Sequence, residues 1–153
     1  MRKIIYKITH PFVRLYWRIF KPKTYGSRAL ILHGNKILLA RNINVSHWSL
    51  PGGKIDYPES PEQCLMRELK EELDLSIAKT EFKLGEYLTH KEGKRDTVHI
   101  FVVKLDAPRF EKQWELEDAQ WFDLGDLPQN IGPAAQRRIA EYLRGSRNLV
   151  ADW

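Results

Sequence analysis

The chain has 153 residues, of which 42% are hydrophobic and 11% aromatic, and this suits a single domain with a sizeable core. One cysteine, Cys64, excludes an intramolecular disulfide and fits a reducing, cytoplasmic compartment. The net charge of +5 is unevenly distributed. Residues 1–55 contain eleven Lys and Arg and no acid, whereas residues 56–153 contain fourteen Lys and Arg and twenty acids. This asymmetry predicts that the basic segment binds an anionic partner and that the acidic remainder binds a metal ion.

Residues 1–24 are predicted to form a basic, aromatic-rich arm ahead of a domain at 25–153. Apolar residues at helical spacing alternate with Lys and Arg, and Pro11 divides the arm into two short helical pieces. Polar residues interrupt every apolar run, which excludes a secretory signal or a membrane-spanning helix. Three interpretations remain open: packing on its own domain or in a homodimer, contact with a membrane surface, and contact with nucleic acid.

Strand patterns flank the middle of the chain. Segments 28–32 and 36–40 are predicted as a hairpin around His33-Gly34-Asn35, whose residues suit positive φ. Lys21-Pro22-Lys23 precedes it as a linker, and an acidic loop is predicted at 111–118. The other predicted elements are strands at 81–90, 97–105 and 120–122 and a closing helix at 133–143.

A helix with a well-marked start follows the segment Pro51-Gly52-Gly53. Ser60 and Gln63 have the spacing of a capping box, and Pro61 fits the first helical position because no N–H is needed there. Leucines then recur every four residues and predict a buried stripe: Leu65, Leu69 and Leu73.

Three carboxylates crowd one side of the same helix, because Glu68, Glu71 and Glu72 lie at i, i+3 and i+4. Like charges at these spacings repel by a few tenths of a kcal/mol per pair, roughly, unless a cation lies among them. A hard, oxygen-seeking ion such as Mg²⁺ fits such a group. The alternative is a solvated acidic face on an ordinary surface helix.

Together with its flanks, this helix resembles the Nudix box. Eight of its nine fixed positions are filled in register: Gly53, Glu59, Arg67, Glu68, Leu69, Glu71, Glu72 and Leu75. At the ninth position Asp74 replaces the last Gly of the box. We expect a left-handed residue there, a conformation that Asp tolerates better than most residues.

The resemblance implies an α/β/α sandwich around a mixed β-sheet. It also implies a pyrophosphohydrolase that needs Mg²⁺, or Mn²⁺, to cleave a diphosphate linkage in a nucleoside diphosphate derivative. An RNA 5′-pyrophosphohydrolase and a non-catalytic nucleotide-binding module are the alternatives. The related isopentenyl diphosphate isomerases would need a catalytic cysteine outside the box, and Cys64 lies within it.

By the same resemblance, Glu71 and Glu72 are metal ligands, joined by Glu68 and the carbonyl of Gly52. Glu59 would complete the outer shell of the metal site.

Arg67 is expected to hold the glutamates in place by hydrogen bonding. For the base that deprotonates water, Glu68 is favoured over Glu115, which lies six residues before Trp121. Arg41 ends the second predicted strand, where it either binds a substrate phosphate or is simply solvated.

Overall fold

The computed structural model describes residues 23–89 and 95–153. The predicted arm therefore lies outside the described residues, apart from Lys23 and Thr24, as does the turn at 90–94. The described elements, in chain order, are β1 (Lys23–His33), β2 (Lys36–Asn42), β3 (Gly52–Lys54), α1 (Pro61–Leu73), β4 (Phe82–Thr89), β5 (Arg95–Lys104), β6 (Leu116–Asp123), α2 (Pro133–Leu143) and β7 (Leu149–Asp152).

The described strands form one mixed sheet in the order β6-β2-β1-β5-β4-β7. Strand β1 pairs in parallel with β5 from Lys23 to Leu32. Its other edge is shared, because the end of β1 pairs antiparallel with β2 and its first half pairs antiparallel with β3. This second pairing places Arg28 opposite Gly52, so the start of the box lies directly beside the central strand.

The two faces of the sheet are both apolar and each is covered by a helix. Successive residues of a strand point to opposite faces, and Ala29 and Ile31 of β1 accordingly pack with the leucines of α1. Leu30 and Leu32 pack on the other face with Ala135 and Ile139 of α2. The predicted α/β/α sandwich around a mixed sheet is confirmed.

Helix α1 begins and ends as its sequence predicts. The Ser60 hydroxyl accepts a hydrogen bond from the Gln63 backbone N–H, and the Gln63 side chain accepts one from the Ser60 backbone N–H. At the other end Asp74 adopts the left-handed conformation, with φ of 52°. Replacement of the last Gly of the box by Asp is therefore compatible with the backbone of this turn.

Several strand boundaries differ from the prediction, and the two largest differences arise because pairing partners extend the strands. Lys23, predicted as part of a linker, is the first residue of β1 and pairs with Arg95 of β5. Strand β6 begins at Leu116, inside the predicted acidic loop, where it pairs with Asn42 of β2. Helix α2 spans Pro133–Leu143, as predicted.

Two short strands were not predicted. The residues of β3 include both glycines of the box, a composition that disfavours strands, and β3 forms because β1 offers it a partner. The four residues of β7 carry too short a pattern to recognise, and they form a strand by pairing in parallel with β4. Within the described ranges, neither helix has the length and apolar character needed to cross a membrane.

Candidate active site

Arg67 is the centre of a carboxylate network on α1. Its Nε and Nη2 donate hydrogen bonds of 3.0 and 2.6 Å to Glu59, while Nη1 donates to Glu68 at 2.9 Å and to Glu71 at 3.0 Å. Nη2 also donates to the carbonyl of Lys54 at 3.1 Å. The bond from Arg67 holds the pKa of Glu59 at about 2, and the bonds to the glutamates raise the pKa of Arg67. One guanidinium therefore orients three glutamates of the box.

Glu72 has a different environment from the other glutamates. Its side chain is turned inward, the residue is only 5% exposed, and its Oε2 accepts a 2.9 Å hydrogen bond from the backbone N–H of Gly52. Burial raises the pKa of Glu72 to about 7, although the bond from Gly52 acts in the opposite direction. The carboxylate is thus held next to the glycine turn in surroundings that disfavour its ionised form.

The glycine turn and Glu68 lie in van der Waals contact. A Cβ added to Gly53 would lie 2.3 Å from Oε1 of Glu68, so only glycine leaves room for this carboxylate. Burial is also the main cause of a raised pKa for Glu68. Gly52 itself has φ of 124°, a conformation that side chains rarely adopt, and its missing Cβ would meet the Ser27 carbonyl oxygen at 2.3 Å.

Glu115 joins this cluster from a distant part of the sequence. Its negative charge contributes to the raised pKa of both Glu68 and Glu72. The loop that carries it is bound to the end of α1 by backbone hydrogen bonds of 2.9 Å, from the Glu111 N–H to the Leu73 carbonyl and from the Gln113 N–H to the Glu72 carbonyl. The two candidate bases, Glu68 and Glu115, therefore lie close enough for their charges to interact.

The carboxylate oxygens of the box glutamates fit a divalent cation. In this conformation no three acidic, His or Cys side chains of the described residues converge on one point, because Arg67 binds Glu68 and Glu71 while Glu72 binds Gly52. Burial, and to a lesser extent the negative charges of neighbouring carboxylates, nevertheless disfavours an unbalanced negative charge on the oxygens of Glu68 and Glu72. A hard divalent ion neutralises such charge and takes oxygen ligands.

Arg28 is a candidate site residue that the sequence patterns did not reveal. It lies on β1 opposite Gly52, and its Nη1 donates a 2.6 Å hydrogen bond to the Leu50 carbonyl. Burial lowers the pKa of Arg28, whereas the nearby charges of Glu72 and Glu68 raise it. A single arginine directly before the buried apolar run 29–32 is the signal that could have indicated it, since a partly buried cation needs an anionic partner.

Arg28 also lines a pocket of about 580 Å³ on the α2 side of the sheet. Arg137 and His47 add further nitrogen-bearing side chains to the wall, and Leu50 and Trp153 supply apolar surface. The described residues that line the pocket include no acid. This composition suits a ligand that carries negative charge, and Arg28 connects the pocket to the carboxylate cluster.

Arg41 lies at the end of β2, as predicted, with its guanidinium 5.3 Å from the centre of the Trp48 ring. Oxygens of Glu117 and Asp118 are 3.9 and 3.8 Å from its Nη2. The buried Nε has no hydrogen-bond partner among the described residues. Its neighbour Asn42, rather than Arg41, lines the pocket. Binding of phosphate by Arg41 stays a prediction.

Comparison with known proteins agrees with this geometry. The NUDIX domain family matches residues 23–143. The chain is 33% identical over 116 residues to the NAD-capped RNA hydrolase NudC of Pseudomonas aeruginosa, covering 74% of this chain and 40% of that relative's length. It is 28% identical over 133 residues to an ADP-ribose pyrophosphatase of Methanocaldococcus jannaschii, covering 84% of this chain and 78% of the relative.

A solved structure is also similar over most of the described chain. It is the MutT NUDIX hydrolase from Burkholderia pseudomallei, with a TM-score of 0.69, 25% sequence identity, and coverage of 78% of this chain and 97% of that one. The predicted Nudix pyrophosphohydrolase is confirmed at the level of family and enzyme class. With three of its box glutamates bound to Arg67, the fourth bound to Gly52, and a matching family across residues 23–143, this chain belongs to the NUDIX domain family.

Proposed function

We propose that the chain hydrolyses the diphosphate linkage of a nucleoside diphosphate derivative, with Mg²⁺ as the preferred ion and Mn²⁺ as a substitute. The observation that carries the proposal is Arg28, which lines the pocket while its charge interacts with Glu72 and Glu68. A nucleoside in the pocket would therefore present its phosphates to the carboxylate cluster. ADP-ribose and NAD, which appear in the names of two relatives, both contain a diphosphate attached to adenosine.

The chemistry follows from the charge of a diphosphate. The negative non-bridging oxygens repel a nucleophile from phosphorus, so hydrolysis requires positive charge at the phosphates and a water in line with the departing group. A divalent ion would supply that charge, held by Glu68, Glu71, Glu72 and the carbonyl of Gly52. Arg28 would add a fixed positive charge on the pocket side. Arg67 would keep Glu59, Glu68 and Glu71 oriented.

We assign removal of the water proton to Glu68. Its carboxylate is half-buried, contacts Gly53 and accepts a hydrogen bond from Arg67, so its position is well defined. Glu115 is the alternative, because its charge is close enough to act on both Glu68 and Glu72. We retain Arg41 as a candidate phosphate contact because it lies at the end of β2 beside Asn42, which lines the pocket.

RNA carrying a 5′-diphosphate linkage is the second candidate substrate. It is favoured by the basic arm at 1–24 and by the similarity to the NudC protein, of which the chain spans 40%. A non-catalytic nucleotide-binding module is disfavoured, since Glu59, Glu68, Glu71 and Glu72 are all present and in place around Arg67 or Gly52.

The experiment is a panel of nucleoside triphosphates, ADP-ribose, nucleotide sugars, dinucleotides and 5′-triphosphorylated RNA, with phosphate or nucleotide release measured in Mg²⁺ and in Mn²⁺. Glu72→Gln should lower turnover by more than about a hundredfold, since loss of an outer-shell partner alone costs 10–100-fold. Glu62→Gln is the control, because Glu62 is an exposed acid on the same helix. Equal turnover by wild type and Glu72→Gln would refute the metal assignment.

Thermal melting gives a readout that does not need the substrate. At an ion concentration of about 100 times the dissociation constant, binding to the folded state adds roughly 2.7 kcal/mol of stability. We expect this stabilisation in wild type and in Glu62→Gln, and its loss in Glu72→Gln. An absence of any effect of Mg²⁺ and Mn²⁺ on wild type, together with no turnover, would instead favour the binding module.

For the basic arm at 1–24 we keep the three proposals made from the sequence: packing on its own domain or in a homodimer, contact with a membrane surface, and contact with nucleic acid. A cytoplasmic location is proposed from the single cysteine alone. Removing residues 1–22 should leave hydrolysis of a small nucleotide unchanged if the arm serves localisation or assembly, whereas loss of solubility would indicate that it packs on its own domain. Sedimentation would report a change of oligomeric state, and salt-dependent binding to anionic vesicles or to RNA would report the others.

A further inference from the structure

The segment after α2 completes the wall of the pocket. Residues 144–153 lie beyond the part of the chain that matches the NUDIX domain, which ends at residue 143. Trp153 from this segment nevertheless lines the same pocket as Arg28. The pocket is thus built partly from the family domain and partly from a piece of chain outside it.

Backbone contacts fix the position of Trp153. Strand β7 pairs with residues 85–88 of β4, and the Trp153 N–H extends this pairing with a 2.8 Å hydrogen bond to the Leu88 carbonyl. From the opposite side, Nη2 of Arg137 donates a 2.7 Å hydrogen bond to the Trp153 carbonyl. Arg137 also lines the pocket, so the residue is held between the sheet edge and α2.

Buried side chains orient the indole ring. The ring meets Tyr87 edge to face, with centroids 6.2 Å apart and an angle of 64°, and the Arg138 guanidinium is 5.8 Å from its centre. Tyr87 and Arg138 are themselves bound to Glu141, by hydrogen bonds of 2.7 and 2.9 Å. Tyr87 and Arg138 are almost fully buried, so together they form a rigid support for the indole ring of Trp153 at the pocket.

We propose that Trp153 is a specificity-determining residue whose indole stacks on the base of the bound nucleotide. This inference rests on the proposed function, since it assumes that a nucleoside occupies the pocket. A base is a flat group with two apolar faces, and stacking on an aromatic side chain is the interaction that recognises it without regard to its hydrogen-bonding pattern. Arg28, on the same pocket, would then bind the phosphate end of the nucleotide.

The test compares ligands with and without a base. Binding of AMP, GMP, UMP and ribose 5-phosphate to the full chain is measured by calorimetry for wild type, Trp153→Leu and Trp153→Phe. Leu and Phe are both apolar, but only Phe stacks. The wild type should bind the nucleoside monophosphates more tightly than ribose 5-phosphate, and Trp153→Leu should reduce this preference about 10- to 100-fold. Trp153→Phe should retain most of it.

Val150→Ala is the control for disturbance of β7, because Val150 lies on the same strand and is 76% exposed. It should leave the base preference unchanged. A second measurement covers the case in which Trp153→Leu does not fold: nucleotide binding should quench tryptophan fluorescence in wild type and quench it much less in Trp153→Phe. Equal quenching in the two proteins would overturn the proposal.

Two further results would also overturn it. One is an unchanged base preference in folded Trp153→Leu, and the other is an equal loss of affinity for ribose 5-phosphate and the nucleotides, which indicates a purely structural role. Failure of the proposed function looks different. A wild type that binds nucleotides through Trp153 but hydrolyses no diphosphate would refute the hydrolase assignment and leave this inference intact.

Discussion

The backbone N–H of Gly52 and the buried carboxylate of Glu72 are joined by a hydrogen bond of 2.9 Å. This bond connects β3 to α1 across twenty residues, and it places a carboxylate against a turn that only glycine can form. Gly52 is itself paired with Arg28 on the central strand. The relative position of the carboxylate cluster and the pocket therefore depends on this turn.

Alanine at the two adjacent glycines should have opposite effects. In Gly52→Ala the new Cβ meets the backbone of Ser27 and φ is positive, so we expect a loss of stability of about 2 kcal/mol or more. In Gly53→Ala the Cβ meets only the flexible end of Glu68. That protein should keep its stability and lose turnover, because the carboxylate must move. Urea unfolding and kcat separate the two cases, and a destabilised Gly53→Ala with normal kcat would contradict the prediction.

Arg67→Lys should weaken metal binding by about 10–100-fold, the usual cost of losing a residue that orients metal ligands. An ammonium group cannot reproduce the forked contact to Glu59 together with the bonds to Glu68 and Glu71. The measurement is the Mn²⁺ dissociation constant. Lys70→Ala is the control, since Lys70 on the same helix forms only an exposed pair with Asp74. Equal Mn²⁺ affinities in wild type and Arg67→Lys would show that the hydrogen bonds from Arg67 are not needed for metal binding.

Arg28→Met should raise KM strongly, because it removes the cation between the pocket and the carboxylates and leaves Glu72 less balanced. We expect a loss of at least about tenfold in kcat/KM, in line with the roughly 1.5–3 kcal/mol of a hydrogen bond to a charged group. Arg28→Lys keeps the charge but loses the planar guanidinium, and its kcat/KM should lie between those of wild type and Arg28→Met. A Lys variant as poor as Met would indicate that geometry, rather than charge, decides.

The two candidate bases can be separated by matched substitutions. Glu68→Gln should lower kcat by about 10²–10⁴-fold, the usual contribution of a general base, while Glu115→Gln should lower it much less. The pH profile is the second readout, since removal of the base should abolish the decline of kcat at low pH. The reverse ranking, with a flattened profile for Glu115→Gln alone, would assign the base to Glu115.

His99 should make stability depend on pH. Burial lowers its pKa below the usual 6.5, with Lys83 acting in the same direction and Glu86 and Glu62 in the opposite direction. Protonation of His99 is therefore harder in the folded than in the unfolded state. The contribution of neutral His99 to the free energy of unfolding is complete above about pH 6.5 and is lost as the pH falls toward the pKa of the folded state.

Urea unfolding of wild type and His99→Gln at about pH 7.5 and pH 5.5 measures this effect. The free energy of unfolding of wild type should fall more between these two pH values than that of the variant. Parallel changes in the two proteins would show that the surroundings of His99 do not disfavour its protonated form.

Local signals in the sequence were sufficient for the elements of the site. The capping box at Ser60 and Gln63, the left-handed Asp74 and the leucine stripe are all decided within a few residues, and the structure has each of them. The spacing of the box also identified the family. These features are predictable because hydrogen bonds within a turn and the period of a helix do not depend on the rest of the chain.

Only the tertiary structure placed Arg28, Glu115 and Trp153. Arg28 acquires its role from pairing with Gly52, Glu115 from a loop bound to the end of α1, and Trp153 from the edge of β4. Strand β7 itself exists because β4 offers it unpaired backbone groups. The sequence alone predicted which groups are candidates for the chemistry, whereas contacts between residues far apart in the chain decided what surrounds them, since such contacts leave no local pattern to detect.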